Sequence, residues 1–174
     1  MEKKLDRIKK MEKERHLHQN GERYLNFLIN GENYCFEILK IKELMGMTAI
    51  TPVPRCEEYI RGVINLRGAI IPVIDLRIKF GLPEISYTKK TSIIICEITL
   101  EEEKSLMGII VDSIKEVINV PHDQISPINY LKTKIDSEFI LGVANTSDGI
   151  KTILSADKIC DNSVLKRIHE TIAS

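Results

Sequence analysis

Apolar positions in this chain fall into short runs separated by turn residues, from residue 24 to residue 154. Runs at 24–29 and 33–38 flank Asn30-Gly31. Both residues tolerate the positive φ of a type I′ turn, so the pair predicts an opening β-hairpin. Ile38, Ile41 and Leu44, with Lys40, Lys42 and Glu43 among them, fit a strand or a helical turn equally well. Thr51-Pro52-Val53-Pro54 is an extended connector, because proline fixes its own φ and biases its predecessor toward β. One helical turn is expected at 56–60.

The densest apolar stretch is 61–81, RGVINLRGAIIPVIDLRIKFG. Its runs at 63–66 and 69–74 predict two strands around Gly68, and Pro72, which lacks an N–H, makes the second an edge strand or a bulged one. Asp75 suits the cap of a helical turn at 76–80, ended by Gly81. Arg67, at the tip of this apolar hairpin, must face water or have a partner. After a polar loop at 82–90 come strands at 91–99 and 106–111, joined by a solvated acidic hairpin end at 101–104. A strand at 117–120 stops at Pro121, 124–134 is loop, and 139–144 and 150–154 form a hairpin around Asp148-Gly149. Val164, Leu165, Ile168 and Ile172 then align on one face of a helix with Ser163 as its cap. About ten short strands predict an all-β fold, too many for one small closed barrel, so two joined barrels are expected.

Residues 1–22 differ: they are dense in charge, and Leu5, Ile8 and Met11 make a stripe too thin to bury a full face. A frayed helix or flexible tail is expected there, and His16-x-His18 lacks the further ligands of a metal site. The 174 residues suit one domain. With 25 basic and 25 acidic residues, no overall field draws the chain to nucleic acid or an anionic membrane, though a local basic patch stays open, and the lack of tryptophan and scarcity of aromatics gives no obvious stacking platform. Cys35, Cys56, Cys96 and Cys160 form no C-x-x-C pair, which points to reduced thiols. Without an apolar run of membrane-spanning length or a leader-like N-terminus, a cytoplasmic protein with no membrane insertion is expected.

Phosphate-binding loops, dinucleotide fingerprints, zinc-protease helices and nucleophile elbows are all absent from the sequence. His122 beside Asp123 has no nucleophile companion, so it reads as a surface histidine. A binding or scaffold role without cofactor is favoured over an enzyme, with a small β-barrel that binds nucleic acid as the alternative. Ile41 with Glu43, Arg61-Gly62 and Arg67 are the positions to weigh as binding surface.

The stretch YIRGVINLRGAIIPVIDLRIKFG (59–81), with FEILKIKEL (36–44), MGIIVDSIKEV (107–117) and FILGVAN (139–145), resembles the CheW family of bacterial chemotaxis coupling proteins. The resemblance implies two interlocked five-stranded β-barrel subdomains, SH3-like or OB-like, with short helices and a C-terminal helix. On this view 1–22 is a flexible tail, 23–160 the CheW-like domain and 161–174 the packed C-terminal helix. The implied role is a non-catalytic adaptor joining the regulatory domain of the histidine kinase CheA to the cytoplasmic hairpin tip of methyl-accepting receptors. Carried over by position, Glu43 and Arg67 are receptor-binding, while Ile41, Arg61, Gly62 and Ile114 bind one partner or the other. The chain is shorter than the kinase or a receiver-bearing relative would be, so a stand-alone coupler is expected.

Overall fold

Asn30 and Gly31 take φ of 52° and 77°, and the hairpin they turn opens the structure, a computed structural model that describes residues 1–15, 21–128, 135–160 and 162–173. Strands β1 (Glu22–Ile29) and β2 (Glu32–Glu37) pair on either side of them. A 3₁₀ turn at Ile38–Lys40 then leads into β3 (Ile41–Gly46), so the ambiguous 38–44 segment is both of its alternatives in succession. Next come β4 (Ile60–Leu66), β5 (Ala69–Asp75), β6 (Ser92–Leu100) and β7 (Glu103–Val111). Strands β8 (Ser113–Val120), β9 (Ile125–Ser126), β10 (Ile140–Thr146) and β11 (Gly149–Leu154) follow.

Two sheets result. One has the order β8-β1-β2-β11-β10-β9, and the other β3-β6-β7-β5-β4. The chain begins in the first sheet, builds all of the second, and returns to finish the first, which is the sense in which the subdomains interlock. The fold is all-β with two subdomains, as expected, but the sheets hold six and five strands among the described residues, not five each. The addition is the two-residue β9, which lies inside the stretch expected to be loop.

Burial explains why several strands read as unbroken apolar runs. Along β6, Ile94 and Cys96 enter a core shared by both sheets, whereas Ile93 and Ile95 enter a second core with Ile64, Ile71 and Val73. A strand buried on both faces gains from apolar side chains at every position. Tyr24, Cys35, Val120, Ala144 and Ile153 form a third cluster within the first sheet.

Asp75 caps helix α2 (Leu76–Lys79) by accepting from the backbone N–H groups of Arg77 and Ile78 at 3.0 and 3.3 Å. Arg77 is buried, and it ties the two subdomains together. Its guanidinium donates to the Pro83 carbonyl (2.7 Å), to Asp112 Oδ2 (2.8 Å) and to Asn30 Oδ1 (3.2 Å), while Asp112 also accepts from the Asn30 N–H. Three short helices or turns, α3 (Ala156–Ile159) among them, and α4 (Asn162–Ala173) complete the C-terminal side.

Several expectations are corrected. Residues 56–60 form turns and the start of β4, not a helical turn. Strand β5 is interior, but its partner β7 joins it only from Val73 onward, so Pro72 needs no N–H on that side. The last hairpin turns on Ser147 and Asp148, with Gly149 already paired to Thr146. Ser163 lies inside the first turn of α4, and Ile172 is exposed while Val164, Leu165 and Ile168 are buried. In the stretch expected to be a frayed helix or a flexible tail, Glu2–Arg15 is helix α1, with Leu5 buried against the domain; His16 and His18 lie outside the described residues.

Glu101 and Glu102, which turn the β6–β7 hairpin, have φ of 50° and 70°. Two glutamates in left-handed backbone are a poor local choice, since that conformation suits Asn and Gly. Replacing them with Asn-Gly is expected to stabilise the protein by about 1 kcal/mol. Urea unfolding would show this as a higher midpoint at unchanged m-value.

Candidate functional site

The β4–β5 hairpin closes through Arg67-Gly68, with Leu66 facing Ala69 and φ of 51° and 84° at the two turn residues. Asn65 Oδ1 braces the turn by accepting from the Gly68 N–H at 3.0 Å. Arginine is an unfavourable residue for the first position of such a turn, where Asn, Asp or Gly is the local optimum. A residue kept there against local preference invites a functional explanation.

Arg67 has partners. Its Nη1 donates to Glu43 Oε2 at 2.9 Å and its Nη2 to Glu43 Oε1 at 3.0 Å, a two-pronged pairing across the sheet. Nη2 also donates to Glu2 Oε1 at 3.0 Å, from α1. The geometry is asymmetric in exposure: the Arg67 side chain is 67% exposed and that of Glu43 only 12%. Guanidinium and carboxylate forks match, so the pairing fixes orientation as well as charge. Burial, and then the contact with Glu2, pushes the Glu43 carboxyl above its ordinary value, whereas hydrogen bonding to Glu43 and then to Arg67 lowers Glu2.

Glu43 reaches this position from β3, which bulges between Ile41 and Glu43 where it pairs with β6. Ile41 itself is fully buried in the shared core, so it supports the strand from behind and offers no surface for a partner. Ile114 is half-exposed on β8. It lines a cleft of about 380 Å³ together with Leu25, Leu44 and Val117, and Leu5 and Ile8 of α1 form the opposite wall.

Arg61 and Gly62 lie at the far end of β4, about 17–20 Å along the strand from Arg67. Arg61 is drawn into the loop that follows α2. Its Nε donates to Tyr87 Oη at 3.1 Å, its Nη2 pairs with Glu84, and the Tyr87 hydroxyl in turn donates to Asp75 Oδ2 at 3.0 Å. Gly62 is buried, with φ of 139°, and a methyl group there would lie 2.0 Å from the Thr51 carbonyl oxygen. Its role is backbone packing. The six positions therefore separate: Glu43 and Arg67 touch, Ile114 lines the adjoining cleft, Ile41 and Gly62 are internal, and Arg61 is a loop anchor.

Glu2 and Leu44 join the site without having been singled out in the sequence. The spacing of Leu5 and Ile8 signalled a helix face, but nothing local indicated where it would dock. Among the described residues no group of three or more His, Cys, Asp or Glu is placed to hold a metal ion, and no helix is long and apolar enough to cross a membrane.

Comparison with known proteins is concordant. The model of the CheW-like domain matches residues 23–164. The chain is 34% identical over 143 residues to the chemotaxis protein CheW of Bacillus subtilis (strain 168), covering 82% of this chain and 89% of that protein. It is 28% identical over 154 residues to CheW of Klebsiella aerogenes, covering 88% and 90% respectively. Among solved structures it resembles the scaffolding protein TtCheW from Thermoanaerobacter tengcongensis, with a TM-score of 0.72, 36% identity, and coverage of 80% of this chain and 92% of the other.

Proposed function

The chain belongs to the family of CheW-like domains, and on that premise we propose that it is a chemotaxis adaptor, a scaffold that couples chemoreceptors to the histidine kinase CheA and performs no catalysis itself. The finer assignment is that it joins the kinase's regulatory domain to the cytoplasmic hairpin tip of methyl-accepting receptors. The observation that carries it is the Arg67–Glu43 pair. A guanidinium mostly open to water is held in a set orientation at the tip of an apolar hairpin, beside an apolar cleft lined by Ile114. Charge of fixed direction next to apolar surface gives a partner both register and affinity.

Two subdomains give such a scaffold two faces. Receptor state reaches the kinase only if the complex binds one kinase state more tightly than the other, because equal affinity shifts no equilibrium. The alternative of a nucleic-acid-binding barrel has no support from the family relationship, and the equal count of acidic and basic residues opposes it.

NMR titration of the labelled protein with the kinase regulatory domain, then with a receptor tip fragment, is expected to shift two separate sets of resonances. The receptor set should include Glu43, Arg67 and Ile114. Absence of shifts with both partners would overturn the adaptor assignment.

A further inference from the structure

Helix α1 lies across the candidate site, and it is attached there by few contacts. Among its described side chains Leu5 is the one buried apolar residue; Ile8 is half-buried and Met11 exposed. Glu2 makes the third hydrogen bond to Arg67, and Glu12 pairs with Arg23 at 3.0 Å. Against these, Lys9 is half-buried close to Lys42, and burial together with that like charge pushes its amine below the ordinary lysine value. Helix α4, in contrast, sends Val164, Leu165 and Ile168 into the core.

What α1 covers is the surface the adaptor reading needs. With Leu5 and Ile8 it lines one side of the cleft formed with Leu25, Leu44, Ile114 and Val117, and with Glu2 it engages the guanidinium that Glu43 presents. The two bonds from Arg67 to Glu43 involve no residue of α1, so undocking α1 would free the outer side of the guanidinium without removing a partner of that pair.

We propose that α1 is an intramolecular competitor for the receptor: docked, it engages one side of Arg67 through Glu2 and takes up one side of the Ile114–Leu44 cleft, and receptor binding displaces it. The inference rests on the assignment of Arg67 and Glu43 as receptor contacts. A closed majority state weakens apparent affinity by the fraction of open molecules, so a chain open about one tenth of the time binds about tenfold more weakly than its open form. Such a helix sets the receptor concentration at which the adaptor binds.

The test is calorimetric titration of the full chain, of Leu5→Asp and of Glu2→Lys with a soluble fragment carrying a chemoreceptor's cytoplasmic hairpin tip. Backbone NMR of α1 is followed in parallel. Leu5→Asp is expected to bind about tenfold more tightly than the unaltered chain, and Glu2→Lys more tightly as well. At saturation, the α1 amides of the unaltered chain should leave their docked positions. If Leu5→Asp lowers the melting temperature of the β domain, Glu2→Lys decides, because Glu2 is more than half exposed. Equal affinities with α1 still docked at saturation would overturn the competitor role while leaving the adaptor assignment intact, as would weaker binding by both variants. Failure of all three proteins to bind would overturn both.

Discussion

Arg67→Asn is expected to leave the fold at least as stable as before and to weaken receptor binding by about 2 kcal/mol, or roughly 30-fold. The first half follows from the turn. Arg67 has φ of 51° ahead of Gly68, and Asn-Gly is the pair such a two-residue hairpin prefers. The second half follows from what is lost, a donor fork that Glu43 holds outward from a mostly buried position. Without it, the Glu43 and Glu2 carboxylates face each other uncompensated, and an acidic site replaces one with a positive tip. Because Arg67 is also the anchor for Glu2, the same substitution loosens α1 and offsets part of the loss. Making it in the Leu5→Asp background removes that complication. Calorimetry for affinity and thermal melting for the fold separate the two halves; unchanged affinity in that background would reduce Arg67 to a solvated ion pair worth little to either fold or binding.

Gly62→Ala should do the reverse, damaging the fold first and binding only as a consequence. At φ of 139° an alanine is strained, and its methyl would lie 2.0 Å from the Thr51 oxygen and 2.7 Å from the Thr51 carbonyl carbon. That oxygen accepts the Val63 N–H at 2.9 Å, and Thr51 N–H returns a bond of the same length to the Val63 carbonyl. Relief of the clash therefore requires breaking this bridge between the proline-rich connector and β4, next to the register shift between Ile60 and Gly62. Backbone strain combined with two lost hydrogen bonds is expected to cost upward of about 3 kcal/mol. Chemical denaturation would report it as a large fall in midpoint. A Gly62→Ala protein of full stability that no longer bound a partner would restore Gly62 as a direct contact.

These two substitutions show how differently neighbouring positions of one motif behave. Arg61, Gly62 and Arg67 are on one strand and its turn, and the sequence offers each as a binding residue. In three dimensions one anchors a loop through Tyr87 and Glu84, one accommodates a crossing backbone, and one projects into solvent. Ile41 and Glu43 diverge in the same way: two residues apart on β3, one is in the core and the other on the site, with a bulge between them.

Sequence alone determined the features that depend on near neighbours. Asn30-Gly31 and Gly68 turn their hairpins because positive φ is a local property, Asp75 caps α2 through N–H groups two and three residues on, and runs such as 93–96 are strands because every side chain there finds apolar surroundings. The count of strands, and with it the two-part all-β fold, followed from these signals. Tertiary structure alone decided what depends on segments distant along the chain. The parallel pairings of β2 with β11 and β5 with β7, the Arg77 link between subdomains and the placing of Pro72 just outside a ladder all require partners at least 30 residues away. So does the docking of α1. Its thin apolar stripe could not by itself justify an ordered helix, and it acquires a place only because Leu25, Leu44, Ile114 and Arg67, from four different strands and turns, converge to receive Leu5 and Glu2.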